Sequence, residues 1–174
     1  MSISARADVM SFAQFLVWLH DSAFASAVRD SDFLFPSIEC VHVLAITLVV
    51  GSIAIVDLRL VGLASLKRSV AAVTADVLPF TWAAFGFAVL TGAALFASHA
   101  VGYAANFEFR MKMLLLVVAG INMLTFHLIV QRDRPRWLEA HMTPRPGRLA
   151  GLISLLLWVA IVAFGRWIGF EHVR

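Results

Sequence analysis

Apolar positions in this chain come in long runs rather than in alternation. Four runs, at about residues 36–64, 77–99, 110–131 and 148–170, hold few charges in their interiors. Each reaches the ~20 residues that a helix needs to cross the hydrocarbon of a bilayer. A helix satisfies its own backbone groups in lipid, and no period of two is present. The pattern therefore predicts an all-α fold, an integral membrane four-helix bundle. The stretch VMSFAQFLVWLHDSAF, from Val9, is different. Val9, Phe12, Phe15, Leu16, Leu19 and Ala23 recur at helical spacing, with Gln14, His20 and Asp21 on the other side. That predicts an extra N-terminal amphipathic helix over about residues 9–27, lying in the membrane interface. A cleavable leader, with Arg6 ahead of a short apolar core, is the rival reading, and Asp8 and Gln14 count against it.

Composition agrees with a membrane solvent. Apolar residues make up 61% of the 174 and charged residues 14%, more apolar surface than a soluble domain of this length can hide. The length allows one domain, 1–174. Eight of the 14 basic residues fall in two turns: Arg59, Lys67 and Arg68 after the first run, and Arg132, Arg134, Arg136, Arg145 and Arg148 after the third. An excess of basic residues marks the cytoplasmic side. The expected topology is a multi-pass protein of a bacterial inner membrane with both termini periplasmic. These loop charges account for the basic balance without nucleic acid. Cys40, the single cysteine, excludes a disulfide framework within one chain and reads as a small packed residue.

The polar residues inside the runs carry the candidate chemistry. With ~1.5 Å of rise per residue, Glu39, His42, His99, Arg110, Lys112 and Arg166 fall near one depth at the outer leaflet. They come from all four runs. His127 falls far below them, toward the cytoplasm, with Asn122 between. Taken singly, Arg59, Arg110, Lys112 and Arg166 read as snorkelling cations, His99 as a solvated helix end, and Trp82, Trp158 and Trp167 as packing or belt residues. His42 lies too deep for that reading. Imidazole is a standard axial ligand of b-type haem, and Arg or Lys at the membrane edge suits anionic propionates. Gly86, Gly92, Ala93 and Ala94 would give a flat group room. On this reading His42 is the iron ligand, His99 or Lys112 lies opposite, and Glu39 accepts the imidazole N–H. The same cluster also reads as a cofactor-free polar network in a structural, assembly or small transporter-like subunit.

The segments FPSIECVHVLAITLVVGSIAIVDLRLVG, LPFTWAAFGFAVLTGAALF and FRMKMLLLVVAGINMLTFH, with the closing GRWIG, resemble a family of short bacterial four-helix membrane proteins of unknown function. His42, Gly51, Arg59 with Leu60, Thr91 with Gly92, and Lys112 also resemble, more distantly, the pattern of the haem-b membrane protoporphyrinogen oxidase. The His-to-Gly spacing of the first run is similar in copper-resistance-D-like and cytochrome-b-type membrane families. The chain departs from the oxidase in its N-terminal helix and in FEFRMK ahead of the third run. The resemblance implies a small membrane redox fold. It makes the lipid bilayer, a quinone or a redox partner protein, and further copies of the chain the expected partners. It does not decide whether the chain is an enzyme.

Overall fold

The computed structural model describes residues 3–126, 128 and 143–171, with side chains described for 12–126, 128 and 143–169. Over these residues the protein is all-α. The helices are α1 (Ile3–His20), α2 (Ala23–Arg29), α3 (Leu34–Val61), α4 (Val70–Ser98), α5 (Ala100–Ala105), α6 (Phe107–Thr125) and α7 (Arg145–Glu171). His127 and the segment carrying Arg132, Arg134, Pro135 and Arg136 lie outside the described residues.

Local chemistry sets the ends. The expected single helix over residues 9–27 is two helices, because Ser22 adopts an extended conformation and its hydroxyl accepts from Ala25 N–H as an N-cap. Ser69 caps α4 and Asn106 caps α6 in the same way. At the end of α3, Gly62 takes φ +90° and its N–H returns to the Leu58 carbonyl, the left-handed closure that glycine allows. α5, which the apolar pattern does not show, fills the turn between α4 and α6.

Three helices, α3, α4 and residues Arg145–Gly169 of α7, are long and apolar enough to cross a membrane. Over its described residues α6, which opens the expected span at 110–131, is not among these three. α6 is described to Thr125 and carries Glu108, Arg110 and Lys112 in its first turns. The exposed surface of the long helices is rich in leucine, valine and phenylalanine, as lipid-facing surface must be. Cys40, expected to be packed, is exposed on α3. α3 is apolar around its whole circumference, so sequence did not reveal which side meets a neighbour.

The long helices pack as a row, α4 on α3, α3 on α7 and α7 on α6. Among the described residues α4 and α6 do not pack backbone to backbone. At one end Phe96 of α4 and Phe109 of α6 stack at 5.3 Å with Tyr103 of α5 beside them. At that end Arg29 donates to the Ser98 carbonyl (2.9 Å) and to the His20 carbonyl (3.0 Å), which ties the α1–α2 hairpin to the end of α4.

The opposite end is organised by Arg59. It is 1% exposed, so it does not snorkel as expected. Its Nε donates to the Arg68 carbonyl (2.7 Å) and its guanidinium reaches the Thr143 hydroxyl (3.4 Å). The α3–α4 turn and the segment leading into α7 therefore share one end of the molecule. Just above, a Cβ at Gly151 would lie 2.9 Å from Leu60 Cβ and 3.0 Å from the Asp57 carbonyl. Only glycine lets α7 approach α3 this closely.

Gly151→Val should therefore destabilise the protein by about 1–3 kcal/mol through overpacking. Gly86→Ala, where nothing lies within 4 Å of the added carbon, should cost nothing measurable. Thermal unfolding midpoints in detergent check this, and equal midpoints for the two variants contradict the close α3–α7 contact.

Candidate functional site

His42 projects from α3 toward α4. Its Nδ1 lies 2.9 Å from the Thr91 hydroxyl oxygen. Thr91 has one proton to give, and its hydroxyl donates to the Phe87 carbonyl at 2.6 Å. The His42 contact therefore runs from Nδ1–H to the hydroxyl oxygen. A neutral imidazole has one N–H, so Nε2 carries the lone pair. The next residue, Gly92, makes the approach possible: a Cβ there would lie 2.9 Å from His42 Cε1. Of the four small residues proposed to give room, Gly92 is the one against His42, while Gly86 has nothing within 4 Å.

Lys112 reaches the same place from α6. Its charge acts on His42, and its side chain lies along Gly165 of α7, where a Cβ would be 3.6 Å from Nζ. The lysine is half-buried and does not snorkel as expected. Four helices thus contribute at one level: His42 from α3, Thr91 and Gly92 from α4, Lys112 from α6 and Gly165 from α7. Gly165 opens the closing GRWIG segment, but its packing against Lys112 was not legible in the sequence. Among the described residues Lys112 makes no hydrogen bond or ion pair, and nothing bonds His42 Nε2.

The other expected site residues are placed elsewhere. Glu39 is exposed, and the acceptor of the His42 N–H is Thr91 rather than Glu39. The Glu39 carboxylate instead acts on Tyr103, whose phenol is held above its ordinary range by burial first and by that charge second. His99 packs edge-on against Phe35 (5.6 Å) and Tyr103 (6.1 Å) and bonds the Ser98 hydroxyl (3.0 Å). Phe35 precedes His42 by seven residues, which puts His99 about 10 Å further out along α3. Thr91 and His99 are separated by about the same distance along α4. His99 and His42 are therefore on different levels. Arg110 and Arg166 are exposed. Among the described residues no three histidine, cysteine, aspartate or glutamate side chains converge on a metal position.

If Thr91 holds His42, the two side chains should be energetically coupled. His42→Ala and Thr91→Val should show a coupling of about 0.5–1.5 kcal/mol in a double-mutant cycle of unfolding, the usual net worth of one hydrogen bond. Strict additivity would show that the contact does not form.

No curated protein and no solved structure matches the chain. A family model covers residues 33–171, the whole of the site and every long helix, and on that match the chain belongs to a family of unknown function (DUF6644).

Proposed function

We propose that this is a four-span inner-membrane protein that holds one b-type haem at the level of His42 and works in electron transfer with a quinone or a redox partner protein. One observation carries the reading: among the described residues the charge of Lys112 acts on His42, and neither Lys112 Nζ nor His42 Nε2 has a hydrogen-bond or ion-pair partner. A cofactor-free network that ties helices together would close on itself, with a carboxylate for the lysine. Glu39, the carboxylate expected in that cluster, is exposed, and its charge acts on Tyr103.

The residues present fit the group. Haem b would supply a one-electron iron couple. Nε2 of His42 is the nitrogen available to iron, and the Nδ1–H···Thr91 bond fixes the ring orientation and tautomer, as an outer partner of a ligating histidine does. Lys112 shares the level of His42, so of the two residues expected opposite His42 it is the better placed. Arg110 and Arg166, exposed at the outer end, suit anionic propionates. The lack of backbone packing between α4 and α6 among the described residues favours entry of a flat group beside His42. The stacked Phe96, Phe109 and Tyr103 rings join the two helices at one end.

The topology belongs to the same reading. α6 is the fourth span, its charged first turns reaching the outer headgroups. Arg59 bonds both the α3–α4 turn and the segment before α7, which supports a common, cytoplasmic side for these basic segments. Reporter fusions at Lys67 and Pro144 should both read cytoplasmic, and a periplasmic reading at either position reverses the orientation.

Protein purified after expression with ample haem should show a Soret band that His42→Ala abolishes. Thr91→Val should keep the haem and shift its midpoint potential, because the ring loses its outer partner while its shape remains. Lys112→Ala should change the low-spin spectrum and His99→Ala should not. Wild-type protein without a Soret band removes the haem reading and leaves His42 and Lys112 as a polar pair of the bundle.

A further inference from the structure

Asp57 stands apart from the outer site. It follows His42 by 15 residues on α3, about 22 Å along the axis, and lies about one turn from the end of that helix. The side chain is 5% exposed. Its carboxyl meets the Ser154 hydroxyl of α7, while Oδ2 is fully buried and, among the described residues, has no hydrogen-bond partner. Gly151, one turn earlier on α7, closes against the Asp57 backbone.

The charged groups around it are engaged elsewhere. On α3 itself, Arg59 donates to the Arg68 carbonyl and Thr143. From the α4 side the buried residues are Val70 and Val73, and the nearest charges, Arg68 and Asp76, are exposed and pair with each other. On α7, Arg145 and Arg148 are exposed below Gly151. Among the described residues no cation pairs with Asp57. A bare carboxylate enclosed in this way, with one oxygen unbonded, is the arrangement that burial penalises most. A hard metal cation takes about six oxygen ligands, and here there are one carboxyl and one hydroxyl. A single proton needs no more than the buried oxygen.

We propose that Asp57 is a proton-binding site at the basic end of the bundle. Its carboxyl takes one proton from water at that end, holds it between α3 and α7, and returns it to the same side. Carboxylate and hydronium become carboxylic acid and water, and no electrons move. Ser154 positions the group by bonding one carboxyl oxygen, and Gly151 excludes lipid and water by bringing the two backbones together. The proposal is independent of whether the outer site holds haem.

Infrared difference spectroscopy on the full chain in lipid vesicles tests it. At neutral pH a protonated-carboxyl stretch should be present, shift in heavy water and disappear at alkaline pH. Asp57→Asn should lose the band. Ser154→Ala, which leaves the acid in place, should shift it, so the test survives if the first variant fails to fold. Absence of the band from wild-type protein overturns the proposal, as does a band unmoved by both variants. Loss of the band on adding sodium at fixed pH also overturns it, by showing that a metal cation competes for the site.

Discussion

The approach of one imidazole to one glycine organises this molecule. His42 can bring its Cε1 edge against α4 only because residue 92 has no Cβ, and it stays there because Thr91, the preceding residue, accepts its N–H. In lipid an unpaired polar group costs more than it does at a wet surface, so the ring is worth placing with care. Once its Nδ1–H is committed to α4, its other nitrogen has no hydrogen bond among the described residues, and the charge of Lys112, which lies along Gly165, acts on the ring from α6. The remaining structure holds four helices at the distances which that convergence requires.

The two ends of the row do this in different ways. At the basic end, a fully buried arginine draws in the carbonyl and hydroxyl of two loops, and a glycine on α7 seats that helix against α3. Contacts there are close and polar. At the other end the closure is aromatic. Phe96, Tyr103 and Phe109 bridge α4, α5 and α6, and the Arg29 clasp adds the N-terminal hairpin. Among the described residues α4 and α6 do not pack backbone to backbone.

Much of this was readable in the sequence, and the losses share one cause. Run length and charge gave the long helices, and Ser22 and Ser69 are ordinary helix-start signals. His42 and Lys112 stood out because polar groups within apolar runs are expensive. The pairing between helices was not readable. α3 and α4 are apolar on all sides, so no stripe tells which face meets which neighbour. Glu39 sits three residues from His42, yet the acceptor that the ring uses comes from another helix. Arg59 looked like a snorkelling cation because its burial depends on loops that are distant in sequence. Asp57, an acid inside the last turns of an apolar run beside Arg59, was a visible signal of an inner polar site that the depth argument passed over. The row of helices, rather than a closed four-helix bundle, likewise follows from tertiary packing alone.

The account rests most directly on which nitrogen of His42 carries the proton. Nitrogen-15 NMR of the histidine-labelled protein, prepared without haem and assigned by loss of the signal in His42→Ala, reads this from the two ring shifts. The account predicts a protonated Nδ1 and an unprotonated Nε2 at pH above the titration of the ring, with Thr91→Val bringing both tautomers into exchange. A His42 protonated at Nε2, unaffected by Thr91→Val, would contradict it, because the nitrogen assigned to the ligand would then be a donor and the hold on α4 would not exist.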